Sequence, residues 1–155
     1  PLLKEVLVAS DMLKLDWEID AEVWNVTSFS ELRKDAENVK RWNMMHTKKD
    51  QKKSYLETCI TTDKIPTIAV SDYVKLVTEQ IGPYVPGEYY ALGTDGFGRS
   101  DTRENLRHFF EVDRYYIILF AVRALVNNNK LDETILNKVI KKYDIDINKP
   151  NPLSV

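Results

Sequence analysis

The sequence predicts an α/β domain, a mainly parallel sheet with helices on both of its faces. Three observations carry that expectation. Segments with helical apolar spacing alternate with short β-branched or aromatic runs over most of the length. The runs are apolar on both sides, as at Val23, Trp24 and Val26, which is the pattern of strands covered from both faces. The chain has 155 residues, 43% of them hydrophobic, enough for one core and short for two. Residues 1–155 therefore read as one domain.

The elements follow in order. Leu3, Val6, Leu7 and Leu13 fall near helical spacing, so residues 2–15 read as an amphipathic helix. Ala21 to Phe29 reads as a strand. Ser28 and Glu31 form a capping-box pattern that opens a helix with Leu32, Ala36, Val39 and Trp42 on its buried face. Thr47 to Lys53 is a charged surface turn. "PTIAVSDY" is a short buried strand leading into a helix with Tyr73, Leu76, Val77, Gln80 and Ile81, stopped by Gly82-Pro83. "EYYALG" is a further strand. A glycine-rich loop follows it, then a short helix opened by an Asp101/Glu104 capping box. Asp113 caps the apolar helix "RYYIILFAVRALV". "NNNK" is a turn, and Asp132 caps a last helix whose Lys138, Lys141 and Lys142 suit the carboxyl end of the helix dipole. The tail "NKPNPLSV" has no periodicity.

Composition excludes little by itself. Lys and Arg number 22 against 24 Asp and Glu, a net charge of −2, which gives no bulk attraction to nucleic acid or an anionic membrane. No apolar run reaches membrane length. The opening "PLLKEVLVAS" lacks the regions of a signal peptide, and it enters helical spacing at once, as a piece cut from a longer chain would. The single cysteine, Cys59, cannot form an intrachain disulfide and reads as a packing residue. His46 and His108 sit in no ligand spacing. No nucleophile elbow, Walker loop or dinucleotide fingerprint occurs.

The segment that invites a chemical reading is "LGTDGFGRSDTRENLRHFF". Gly93, Gly96 and Gly98 allow positive φ and close backbone approach. Arg99, Arg103 and Arg107 recur every four residues, and Arg103 and Arg107 share a helix face. Asp95, Gly96, Gly98, Arg99, Ser100, Asp101 and Arg103 are the candidate site residues. Two readings stand. The loop is a strand-to-helix corner or domain contact, with Asp95, Asp101 and Glu104 neutralising the arginines. Alternatively, the Gly93–Arg103 segment is a regulatory module that grips a phosphate or carboxylate.

"VWNVTSFSELRKDAENVKRWN", "SDYVKLVTEQI" and above all "YVPGEYYALGTDGFGRSDTRENLRHFFEVD" resemble the C-terminal domain of the homodimeric decarboxylating component of the pyruvate dehydrogenase complex, a transketolase-like enzyme. The resemblance runs from about Leu3 to the tail. It implies an enzyme that uses thiamine diphosphate and magnesium, decarboxylates pyruvate and reductively acetylates a lipoyl group. Its partners would be the N-terminal and middle domains, a second subunit of the homodimer and the dihydrolipoyl acetyltransferase component, in the cytoplasm, with neither nucleic acid nor membrane. The resemblance implies a supporting role in assembly for this domain. It implies no catalytic, cofactor-binding or metal-binding residue on this chain, which alone is expected to be inactive. The family's domain opens with a strand ending near a Gly-Ser-Gly turn that this sequence lacks. The expectation is therefore a sheet short of its first strand, with an edge that seeks a partner such as a second copy.

Overall fold

The computed structural model describes all residues from Pro1 to Val155. Its sheet has two strands, β1 (Thr67–Val70) and β2 (Tyr89–Leu92), paired in parallel with Thr67 opposite Tyr89 and Val70 opposite Leu92. Seven helices surround it: α1 (Leu3–Trp17), α2 (Phe29–Met45), α3 (Tyr55–Cys59), α4 (Lys75–Glu79), α5 (Arg103–Phe109), α6 (Arg114–Asn127) and α7 (Thr134–Lys142). This is the α/β arrangement with helices on both faces.

The strands' two-residue period divides the core. Ile68, Val70 and Leu92 point into the larger cluster, which α1, α6 and α7 close with Ala9, Ile118, Val122 and Val139, all fully buried or nearly so. Tyr89 points the other way, into a smaller cluster built on Leu56, Ile81 and Val85 with Phe29 and Leu32. Burying one such aliphatic side chain contributes about 1.5–3 kcal/mol, so α6, with Ile117, Ile118 and Val122 inside, is the central helix of the larger cluster. Asp113 caps it as expected, accepting from the N–H groups of Tyr115 and Tyr116.

Between α1 and α6 lies a buried carboxylate. Glu5 accepts from Arg114 through Nε at 2.8 Å and Nη2 at 3.1 Å, and from Arg107 through Nη1 at 3.3 Å. The Arg114 guanidinium, bound in a fork, holds the Glu5 carboxyl below its ordinary range against the opposing effect of burial.

Several expectations are corrected. Ala21–Phe29 is not a strand. Residues 22–27 make no backbone–backbone hydrogen bond, because no ladder partner lies beside them. The helix expected over Tyr73–Ile81 shrinks to α4, leaving Tyr73 and Leu76 about 70% exposed. The short helix α3 was not foreseen, although Ser54 and Glu57 form a complete capping box. At Ser28 only half the box forms, since Glu31 pairs with Lys34 instead. Thr102, not Asp101, caps α5.

Two predictions follow from the core. Breaking one side of the buried pair with Glu5→Gln costs about 3 kcal/mol at neutral pH. A carboxyl with a depressed native pKa stabilises above its unfolded value and loses that contribution as pH falls through the native one. The gap between wild type and Glu5→Gln in urea melts should therefore close as pH drops below about 4.5. Burial pushes the Tyr116 hydroxyl up to about 12, and that hydroxyl has no hydrogen-bond partner. Tyr116→Phe should therefore leave stability unchanged or raise it by about 1 kcal/mol, read as an upward shift in Tm.

A candidate docking corner at the carboxyl ends of the strands

β1 and β2 both release their chains at the same end of the sheet, where ligand and partner sites of parallel sheets gather. The two connections there are stitched together. Thr94 donates its N–H to the Tyr73 carbonyl at 2.8 Å and its hydroxyl to the Asp72 carbonyl at 2.9 Å. Asp95 accepts the Lys75 N–H at 2.8 Å. Val74, at the N-cap of α4, offers no capping side chain, so Asp95 caps that helix from the neighbouring loop.

The three glycines play different parts. A Cβ on Gly93 would lie 2.7 Å from both the Tyr73 carbonyl oxygen and the Lys75 nitrogen. Gly96 has φ of +104°, and its Cβ would meet the Pro152 carbonyl oxygen at 2.6 Å, because the C-terminal tail packs against it. Gly98 has open space around it and no left-handed conformation, so the freedom that glycine allows there is not used.

Beyond Gly96 the loop turns outward. Phe97 is 80% exposed. Arg99 lays its guanidinium over the Phe109 ring at 4.3 Å. Ser100 is exposed and its side chain forms no hydrogen bond. Asp101 accepts from the Asn105 side chain at 2.8 Å and the Thr102 N–H at 2.6 Å, and the first of these holds its carboxyl below the usual range. Arg103 opens α5 and makes no ion pair. Phe97, Arg99, Arg103 and Arg107 line a cleft of about 640 Å³.

The geometry therefore rejects the expected local neutralisation. Asp95 and Asp101 are occupied by helix ends, and no carboxylate pairs with Arg99 or Arg103. Arg107 was grouped with them by its spacing, but it turns inward to Glu5, with Asp72 4.0 Å from its Nε. Its burial partner sits 102 residues away, beyond any local pattern. His46 stacks on Trp42 at 3.7 Å and donates to that residue's carbonyl. His108 donates from Nδ1 to Asp113 at 2.8 Å. Cys59 is half-buried. No three His, Cys, Asp or Glu side chains converge in a way that could hold a metal ion. No helix is long and apolar enough to cross a membrane.

Residues 2–113 match the transketolase-like TK C-terminal domain family. The chain belongs to that family. Over 154 residues, 99% of its length, the domain is 46% identical to the pyruvate dehydrogenase E1 component of Cupriavidus necator. It is 48% identical over 153 residues to that of Pseudomonas aeruginosa and 41% identical over 152 residues to that of Escherichia coli K12. The domain spans about 17% of the length of each of these relatives and is homologous to their C-terminal part.

The glycine geometry sets a stability test at this corner. Gly96→Ala forces a side chain into a left-handed backbone against a carbonyl and should cost about 2 kcal/mol or more. Gly98→Ala should stay within about 0.5 kcal/mol of wild type in the same denaturant melts.

Proposed function

We propose that this domain is the C-terminal assembly unit of a pyruvate dehydrogenase (acetyl-transferring), and that the Gly93–Arg103 corner is where it docks on the rest of that enzyme. The whole enzyme would decarboxylate pyruvate with thiamine diphosphate and magnesium held by its N-terminal and middle domains, in a cytoplasmic homodimer. It would pass the acetyl group to the lipoyl group of a dihydrolipoyl acetyltransferase. The 155-residue chain alone would be inactive. The observation that carries the docking role is the pair of arginines left without carboxylates, Arg99 and Arg103, beside the exposed Phe97 on a loop pinned at Gly93, Asp95 and Gly96. A rigid loop with exposed apolar and cationic groups is preorganised for an acidic, partly apolar protein surface. This reading is preferred to a small-anion receptor because Arg107 is committed to Glu5 and α5 is only seven residues long.

In the full-length enzyme, charge reversal at both Arg99 and Arg103 should loosen the domain from its neighbours. The expected signs are an early, separate thermal transition and acetyl transfer reduced about tenfold or more. A variant with one unchanged transition and full activity removes the docking role. Titrating the 155-residue chain with thiamine diphosphate and magnesium should show no binding, and micromolar affinity would overturn the placement of the cofactor elsewhere.

A further inference from the structure

The helix α7 stops in a left-handed turn. Asp144 has φ of +50°, the Ile145 N–H donates to the Ile140 carbonyl at 3.0 Å, and Ile145 is buried. Residues 146–155 then run to the glycine loop. Eight of these ten are exposed, and only Lys149 and Pro152 are covered. Most of their hydrogen bonds are local, between Asp146 and Asn148 or Lys149, and between Asn151 and Leu153 or Ser154. Every hydrogen bond from this segment to the rest of the domain comes from one side chain, Lys149. Its ammonium donates to the Phe109 carbonyl and pairs at 3.0 Å with Glu111, itself left-handed at φ +60°. The same ammonium lies 5.3 Å from the centre of the Phe109 ring, which also carries the Arg99 guanidinium at 4.3 Å. The second covered residue, Pro152, rests its carbonyl against Gly96. On the loop side, residues 96–101 make no backbone–backbone hydrogen bond.

We infer that residues 146–155 are a strap that holds Gly96–Arg99 in the form that docks, and that Lys149 is the clasp on which the strap opens and closes. The inference rests on the docking role proposed above for that corner. An exposed segment anchored through one side chain opens far more easily than the core unfolds, because few contacts are lost in opening. The ammonium is the strongest link, since it makes a charge-assisted bond and an ion pair while largely covered. Pro152 adds burial but has no N–H to donate. Opening has a local consequence. Gly96 loses the surface it rests on, and no ladder or helix holds the residues after it. Phe97 and Arg99 then sample many orientations, and a partner must order them again on binding. The closed strap removes that cost, so the fraction of closed chains sets the fraction ready to dock. Lys149 is thus a positioning residue that acts through Phe109 and Gly96.

The test removes the strap and returns it. In the chain cut after Ile145, backbone order parameters from NMR relaxation at Gly96, Phe97, Gly98 and Arg99 should fall below about 0.6, while those of α6 stay at about 0.85. A synthetic peptide of residues 146–155 should restore the loop in a saturable way. The same peptide carrying Lys149→Met should bind about tenfold more weakly or worse, having lost its bonds to Phe109 and Glu111. Lys149→Met in the uncut chain should loosen the same four amides, a result that does not depend on the cut chain folding. In the full-length enzyme, Lys149→Met should produce the early thermal transition expected of charge reversal at Arg99 and Arg103. A loop that stays ordered without the strap, or equal affinity of the two peptides, overturns the clasp. A loosened loop in the 155-residue chain with one unchanged transition in full-length Lys149→Met overturns the strap's part in docking. The docking corner itself is judged by the Arg99 and Arg103 reversals alone, so the two failures are told apart.

Discussion

Glu5 is the point on which the arrangement of the domain turns. It sits in the first turn of α1 and binds arginines from the helix after the glycine loop and from the start of the central helix. A buried carboxylate with two guanidiniums tolerates little displacement, because moving either helix strands a charge in a low-dielectric interior. One ion cluster thus sets the position of α1, α5 and α6 together. The hydrophobic surfaces that α1 and α6 share supply stabilisation, while the cluster supplies registry.

The glycine loop inherits its rigidity from that arrangement. Its amino end is bonded to the β1–α4 connection through Thr94 and Asp95, its middle rests on the tail at Gly96, and its carboxyl end is held where Arg107 enters the core. Lys149 adds a strap, donating to the Phe109 carbonyl and pairing with Glu111 at 3.0 Å. What remains outside this frame is Phe97, Arg99 and Arg103, and these are the groups free to meet a neighbour. Surface arginines gain little from isolated partners in water. They gain more where a partner's apolar surface excludes water around them.

The sheet makes a contrast with this rigid corner. Two parallel strands are few for a layer meant to be covered on both faces. The groove between β1 and residues 22–27 is lined largely by apolar side chains. The β-branched and aromatic residues of segment 22–27 favour extended backbone, but that preference alone does not make a strand.

By itself the sequence determined several features that are decided within a few residues, though not how α2, α3 and α5 are capped. Those features are the α/β alternation, the cap at Asp113, the placement of β1 and β2 and the turn at Gly96. It also carried the family resemblance, since a long run of matching residues requires no coordinates to be recognised. The tertiary structure alone decided which arginine is spent inside and which are left outside, because Glu5 and Arg107 are separated by about a hundred residues and equal spacing along a helix says nothing about what faces it. It alone decided that Asp95 caps a helix from a different loop, and that residues 22–27 stay unpaired. A hydrogen-bonded ladder is a property of two backbones, and periodicity in one of them cannot show that the other is present.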